Sequence, residues 1–262
     1  MMGKQTGRGP SMIFKRAVAK LRAQDWVAIS IELVIVTVGV IIALAAQQWA
    51  EERSLQSELE ASMTALRAEL GEHYGYAVEF RAVYPCLQTQ LNQLRDRVAK
   101  SGAALIPAPM HEDENFHFVL RLPSKVYPTD AWQAMVTDGT VQRLDPPLRR
   151  QLAGHYGQLP EIAEMNSANN AAEQGLFALR HQLPLDPSVR YSMMKEIEQV
   201  RGRLEYLDFI NGQVIDYVQH ANMVPPAKEA QATTERYGTY QFCKAHGLPT
   251  RSFVEAMKPV PN

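Results

Sequence analysis

The sequence predicts an all-α protein in which a single N-terminal transmembrane helix continues into a stalk and a periplasmic helical bundle. Three observations predict this fold class: one long apolar stretch, apolar residues at spacings of three and four after it, and proline- and glycine-rich breaks between those stripes. We place, in order, a basic cytoplasmic tail (1–25), a transmembrane helix (26–49), a stalk helix (50–100), a loop (101–129), bundle helices (130–246) and a loose tail (247–262), the periplasmic domain being 50–262.

The apolar stretch from Trp26 to Trp49 has the length and composition of a membrane-spanning helix. About 20 residues of helix rise roughly 30 Å, which matches the hydrocarbon core of a bilayer. The two tryptophans bracket the stretch, where amphipathic rings favour the headgroup zones. A cleaved signal peptide is the alternative, because Ala43-Leu44-Ala45 has the small-x-small pattern of a cleavage site. The apolar region exceeds the length usual for a signal peptide, so we favour a retained helix.

Charges on either side of this stretch set its predicted orientation. The preceding tail carries six basic residues and one acidic residue: Lys4, Arg8, Lys15, Arg16, Lys20, Arg22 and Asp25. Acidic residues such as Glu51 and Glu52 follow it. Because basic flanks stay in the cytoplasm, we predict a single-pass protein of the bacterial inner membrane with most of the chain in the periplasm. The basic tail suits anionic lipid heads, and the mildly acidic outer domain argues against nucleic acid.

One face of the predicted transmembrane helix carries Glu32, Gly39 and Ala43. At 100° per residue, the two small residues lie within about 20° of the direction of Glu32. Small residues four apart let helices approach closely, so we predict a helix–helix contact with a second copy or with another membrane protein. Two alternatives stay open. The carboxyl can reach toward the cytoplasmic interface, leaving the small residues incidental, or it can serve a proton-coupled role.

The same segment resembles the signature of a bacterial family of uncharacterised single-span membrane proteins. The matching residues are Glu32, Gly39, Ala43-Leu44, Gln47-Gln48 and Trp49, then the acidic Glu51-Glu52. Family members carry two Asn-like residues before the tryptophan, where this chain has two glutamines. A fainter similarity continues at Ala131-Trp132 and Gly139. The family has no assigned activity, so the resemblance implies a location and an architecture rather than a chemistry.

After the membrane segment, an apolar stripe from Leu55 to Val98 predicts a long amphipathic helix. Gly71 and Gly75 weaken a helix, and Pro85 removes a backbone donor, so we expect a bend or a break there. Such a stripe fits a helical bundle better than a self-associating coiled coil, and both interpretations stay open. Ser101-Gly102 ends this helix.

The remaining elements follow from turn and capping signals. We predict an extended piece near Phe116–Arg121, a helix capped by Thr129 or Asp130 that buries Trp132 and Met135, helices that begin after Asp145 and Asp186, and a last helix over 227–246. A segment beginning Leu66-Arg67 resembles one beginning Leu148-Arg149, 82 positions later, and both contain His-Tyr-Gly. This similarity fits either a duplicated helix or chance.

The sequence predicts no catalytic residue, no cofactor and no metal site. Nucleophile elbows, phosphate loops and His-Glu-x-x-His are absent from it, and His111 and His117 are six apart, whereas a helical zinc motif needs four. The other histidines, His73 and His155 among them, have no visible partner and are interpreted as surface or bundle-edge residues. Cys86 and Cys243 are the two cysteines, and an oxidising compartment favours a bridge between them over two buried thiols.

These observations favour a membrane-anchored, non-enzymatic scaffold or adaptor. Its partners would be the lipid bilayer and either a second copy of the chain or another membrane protein, with the helical domain binding a further partner. A periplasmic ligand sensor is the first alternative, and a proton-coupled accessory subunit that acts through Glu32 is the second.

Overall fold

A computed structural model describes residues 26–113 and 116–260, and over this range the protein is mostly helical. The helices are α1 (Trp26–Lys100), α2 (Asp130–Thr137), α3 (Pro146–Leu176), α4 (Pro187–His220), α5 (Ala227–Thr234), α6 (Gly238–Ala245) and α7 (Phe253–Ala256). Two short strands, β1 (His111–Asp113) and β2 (Phe116–Phe118), pair antiparallel, and 3₁₀ turns occupy Thr140–Arg143 and Phe177–Arg180. The predicted basic tail, 1–25, lies outside the described residues.

The first compact unit ends at Glu58 and, within the described residues, consists of the N-terminal part of α1. This part is long and apolar enough to cross a membrane, and none of its apolar window is buried. The hydroxyl groups of its apolar stretch bond within the helix: Ser30 Oγ donates to Trp26 O and Thr37 Oγ1 donates to Leu33 O, both at 2.8 Å. A helix in lipid needs such internal partners, since no water is present to provide them.

The second unit, from Leu59 onward, is built on three long helices: the rest of α1, α3 and α4. The α4 helix runs antiparallel to α1, because Arg190 at its start binds the carbonyls of Val98 and Ala99 at the end of α1. It is also antiparallel to α3, since Arg203 Nε donates to Asn169 Oδ1 at 2.7 Å and Tyr206 Oη donates to Glu161 at 2.9 Å. Leucine and isoleucine side chains fill the space between the three helices: Leu66, Leu70, Leu87, Leu91, Leu152, Ile162, Ile197 and Leu204.

The helix α1 continues through Gly71, Gly75 and Pro85, where we expected a bend or a break. Pro85 has no N–H to offer the preceding turn, which would leave a carbonyl group there unpaired. In the structure, Ala82 O in that turn accepts a hydrogen bond from Arg251 N at 2.7 Å. The carbonyl that loses its donor is that of Arg81, four residues before the proline, so the bond to Ala82 O ties the C-terminal segment to this turn without replacing the missing one.

The C-terminal region differs from the prediction in two ways. The expected helix over 227–246 is two short helices, α5 and α6, separated by a turn at Glu235–Tyr237. The tail that we expected to be loose forms α7, in which Ala256 is fully buried, and Arg251 makes a two-bond ion pair with Asp208 at 2.9 and 3.1 Å. Charged and backbone contacts hold this segment in place. Such contacts produce no periodic pattern of apolar residues, so the sequence did not reveal them.

Cys86 on α1 and Cys243 on α6 form a disulfide bond, with their Cα atoms 6.1 Å apart. Both residues are fully buried. The bond joins the central helix to the C-terminal helices across 157 positions of sequence. Among the described residues no cysteine is free.

Candidate functional site

A segment of extended chain, residues 121–129, lies along α1 and leads into α2; we call it the strap. Three side chains of α1 hold it in reverse order of sequence. Gln90 Oε1 accepts from Arg121 N at 2.8 Å, Glu79 faces Lys125 with 3.6 Å between Oε2 and Nζ, and His73 Nε2 contacts Pro128 O at 2.7 Å. Gln90, Glu79 and His73 are all buried. The strap therefore runs antiparallel to α1 and is fastened by polar side chains rather than by a backbone ladder.

The lengths of the two segments agree with this arrangement. From His73 to Gln90, α1 rises about 26 Å at 1.5 Å per residue. From Arg121 to Pro128, an extended chain spans about 23 Å at 3.3 Å per residue. An extended strap can therefore reach each of its three partners on α1 without a gap, although the sequence reads only as a proline-containing loop.

His73 and His155 form a buried pair, and this corrects the prediction that they are surface or edge residues without partners. Their side chains are 0% and 1% exposed, and His73 Nδ1 lies 2.7 Å from His155 Nε2. Burial lowers the pKa of His73 to about 4 and that of His155 to about 3, so both rings are neutral at pH 7.

The hydrogen bonds of this pair fix its tautomers. A carbonyl oxygen only accepts, so His73 Nε2 carries the proton that is donated to Pro128 O. His73 Nδ1 is then an acceptor, and His155 Nε2 must donate to it. His155 Nδ1 is left with a lone pair that is buried and has no hydrogen-bond partner among the described residues. The pair is enclosed, and through His73 it positions the strap at Pro128.

Glu69 caps the first turn of α2 from a distance. Its Oε2 accepts from Ala131 N at 2.8 Å, and its Oε1 accepts from Tyr156 Oη at 2.5 Å and from Trp132 N at 3.4 Å. Of the two residues that we expected to cap this helix, Thr129 is at the N-cap but makes no such bond from its side chain, and Asp130 is the first residue of the helix. The amide groups at the start of a helix need acceptors, and here a carboxylate from α1 provides them.

Glu79 is a fully buried carboxylate beside the middle of the strap. Neither of its oxygens makes a hydrogen bond of normal geometry. Burial raises the pKa of Glu79 to about 7, because it outweighs the opposing attraction of Lys125 and Arg121 and a weak backbone contact from Tyr240. The Lys125 ammonium lies over the ring of Tyr237, 3.9 Å from its centroid.

A groove with a volume of about 550 Å³ opens between the end of the strap, α2 and α3. Tyr127 and Thr129 line it from the strap, Trp132 and Gln133 from α2, and Tyr156 from α3, and none of its ten lining residues is charged. The rings of Trp132 and Tyr156 stack in parallel, with centroids 4.9 Å apart and 3° between their planes. An uncharged, aromatic groove of this size suits a neutral ligand or a peptide segment.

The structure places the three residues singled out on the predicted membrane helix at its surface. Glu32, Gly39 and Ala43 are exposed, and a Cβ atom added at Gly39 would meet no other atom within 4 Å. On the helical unit, His117 contacts Glu112, with 2.9 Å between Nε2 and Oε1. In the two-stranded hairpin, His111 pairs with Phe118 and His117 pairs with Glu112. The two histidines are therefore not cross-strand partners of each other.

The strap, the histidine pair and the groove were not found from the sequence. One signal did point to the pair: His73 and His155 occupy equivalent positions in the two similar segments 82 residues apart. Since α1 and α3 are both antiparallel to α4, they run parallel to each other, which brings the two His-Tyr-Gly stretches side by side. The chain matches no protein-family model, no curated protein and no solved structure. The family resemblance of the membrane segment therefore stays a prediction.

Proposed function

We propose that this protein is a membrane-anchored, non-enzymatic adaptor whose helical unit binds a partner in the groove between Trp132 and Tyr156. The groove itself carries the proposal, because it is open, uncharged and lined by aromatic rings that a partner would cover. The buried imidazoles of His73 and His155 are not among the residues that line this groove, so a partner would meet its uncharged wall. Recognition would rest on shape and apolar contact, with Gln133 and Thr129 as the polar groups at the rim.

The anchor in this proposal is the apolar part of α1, which crosses the bacterial inner membrane once with its N-terminus in the cytoplasm. Its exposed valine and isoleucine side chains would contact lipid. The face with Glu32, Gly39 and Ala43 would meet a second copy or another membrane protein, since a neighbouring helix could approach Gly39 without a clash. The family of single-span membrane proteins that residues 32–52 resemble would have this same architecture.

A periplasmic ligand sensor is the second candidate, and the position of the strap favours it. Tyr127 and Thr129 belong both to the strap and to the wall of the groove, so a bound ligand would press directly on the segment that α1 holds. A proton-coupled accessory role of Glu32 is the third candidate. A Glu32→Gln variant separates it from the others, because a packing role tolerates the neutral side chain whereas a proton-coupled role does not.

Site-specific cross-linking in the intact membrane tests the adaptor proposal. A photoreactive residue replaces Gln133, which is exposed and lines the groove, and in a matched control it replaces Tyr191, which is 71% exposed and lies on α4. We expect one defined partner to be cross-linked at position 133, not at 191, and to be lost when Trp132→Ala is added. Equal labelling at both positions, or labelling that survives Trp132→Ala, would refute the proposed binding site.

A second arm examines the membrane helix with a cross-linker at a lipid-facing position of α1. We expect Gly39→Leu to remove the cross-link to the neighbouring helix, because the larger side chain fills the open face. If Gly39→Leu leaves every cross-link unchanged, the contact through Glu32, Gly39 and Ala43 is wrong, and the groove proposal is judged by the first arm alone.

A further inference from the structure

We propose that a second pocket, between α1 and α5, binds a basic amino acid, a small molecule with one carboxylate and two cationic groups. The pocket has a volume of about 310 Å³, which is at the small end of the range for ligand sites. One wall belongs to α1 and the other to the segment from Pro225 to Tyr237. This pocket and the groove at Trp132 have no lining residue in common, so the inference does not depend on the proposed function.

Small residues on α1 leave room for a ligand. Ala68, Gly71 and Gly75 follow one another at spacings of three and four, so they lie on one face of the helix. A Cβ atom added at Gly71 would meet no other atom within 4 Å, so open space lies above this glycine. A Cβ atom added at Gly75 would lie 3.3 Å from the hydroxyl oxygen of Tyr237, which therefore bounds the pocket at that end.

Three charged side chains line the pocket: Arg67 and Glu72 from α1, and Glu229 from α5. All three are exposed, and the side chains of Arg67 and Glu229 form no hydrogen bond or ion pair with any residue that the structure describes. Glu72 accepts one hydrogen bond, from Tyr76 Oη at 3.3 Å. Two carboxylates and one guanidinium are therefore available to a ligand, and the negative charge is in excess.

The spacing of these charges selects the ligand. Arg67 and Glu72 are five residues apart in α1, which is a rise of about 7.5 Å. This separation exceeds the distance between the two charges of alanine and is close to the distance between the carboxylate and the side-chain cation of lysine. A guanidinium pairs with a carboxylate through two parallel hydrogen bonds, so Arg67 would hold the carboxylate of the ligand. Glu72 would hold its side-chain cation, and Glu229, from the opposite wall, its α-ammonium group.

The phenol of Tyr237 adds a neutral donor to this set. Its hydroxyl group makes no hydrogen bond within the described part of the chain. Burial raises the pKa of Tyr237, so the hydroxyl keeps its proton and can donate it to the ligand carboxylate. A basic amino acid therefore finds a partner for each of its charges, whereas a neutral amino acid leaves one carboxylate of the pocket unpaired and a dicarboxylate is repelled by both.

Saturation-transfer NMR of the full-length protein in uncharged detergent micelles tests this site, with L-lysine as the probe. We expect saturable binding of L-lysine and weaker binding of two analogues that each lack one charged group. Cadaverine lacks the carboxylate and L-norleucine lacks the side-chain ammonium, and each loss should weaken binding roughly fivefold, as for an exposed charge pair. The proposal is overturned if L-lysine gives no saturable signal or if L-norleucine binds as tightly as L-lysine.

A cavity-filling variant locates the binding site. Gly71→Val places a side chain in the open space of the pocket and should abolish binding of L-lysine. Gly202→Val is the matched control, because Gly202 is exposed on α4, also has open space around its Cβ position and undergoes the same change in helix propensity. Binding that survives Gly71→Val, or that is lost equally in Gly202→Val, contradicts the proposed pocket.

A charge variant tests the assigned ligand class. Arg67→Gln should weaken binding of L-lysine roughly fivefold without weakening binding of cadaverine, which has no carboxylate for Arg67 to hold. Equal losses for the two probes would show that Arg67 does not recognise a carboxylate, and the basic amino acid would be the wrong ligand. Because no partner protein is needed, these results are independent of the cross-link at Gln133 that tests the adaptor.

Discussion

Replacing Glu69 tests whether α1 organises the groove by capping α2. Glu69 accepts hydrogen bonds from Ala131 N at 2.8 Å and from Tyr156 Oη at 2.5 Å, and it is only 7% exposed. A Glu69→Gln side chain keeps one acceptor oxygen and turns an N–H₂ group toward a donor. We expect the start of α2 to loosen and the stacked pair of Trp132 and Tyr156 to separate.

The magnitude follows from the two short bonds. A hydrogen bond to a charged group contributes about 1.5–3 kcal/mol, and Glu69→Gln loses one such bond and weakens the other. We therefore expect the free energy of unfolding to fall by about 3 kcal/mol, and by about 2 kcal/mol in Tyr156→Phe, which removes the hydroxyl donor alone. The double variant should lose less than the sum, by about 1 kcal/mol, because both changes break the same bond.

Urea unfolding followed by tryptophan fluorescence measures these changes. Trp132 is the one tryptophan of the helical unit, so a background with Trp26→Phe and Trp49→Phe makes the emission specific to α2. Glu72→Gln is the matched control, since Glu72 is exposed and accepts from Tyr76 Oη at 3.3 Å; it should change stability by less than about 0.5 kcal/mol.

Two results would refute the capping role of Glu69. Either Glu69→Gln lowers the free energy of unfolding no more than Glu72→Gln does, or the losses caused by Glu69→Gln and Tyr156→Phe are simply additive. In either case the carboxylate does not join α2 to α3. The groove would then depend on apolar packing around Trp132 alone.

Two further predictions concern stability. Replacing Cys86 and Cys243 together by alanine should lower the free energy of unfolding by about 5 kcal/mol in the chain-entropy model, because the bond closes a loop of 157 positions. Urea unfolding midpoints with and without reductant measure this loss. An effect of reductant that persists in the double variant would contradict the prediction. For His73 and His155, both pKa values are lowered on folding, so their contribution to stability is complete above pH 6.5 and is lost as the pH falls toward 4 and 3. His155→Gln should therefore reduce the slope of unfolding free energy against pH between 4.5 and 6.5 by about one proton, and an unchanged slope would show that the pair titrates normally.

The helices could be predicted from the sequence because burial repeats along them. The stripe that includes Leu66, Leu87 and Leu91 is the buried face of α1, and Asp186 caps α4 as expected, its side chain accepting from Val189 N. Pro85 misled the prediction, since α1 continues through it although the proline removes one backbone donor.

The candidate site could not be predicted in the same way, because it depends on pairs that are far apart in sequence. Glu69 reaches Ala131 across 62 positions and His73 reaches Pro128 across 55. Such polar pairs have no periodicity, and each partner taken alone reads as an ordinary surface residue. The repeated His-Tyr-Gly stretch was the one local sign, and it gained meaning only once α1 and α3 were seen to run parallel.

The disulfide between Cys86 and Cys243 ties the stability of this fold to the compartment in which it forms. The bond persists in an oxidising space and is reduced in the cytosol. Under the proposed membrane anchoring, a copy whose helical unit stood on the cytoplasmic side would fold without the bond and would be less stable by about 5 kcal/mol, a large part of the total for a domain of this size. In that proposal the bond would make the stability of the helical unit depend on its orientation.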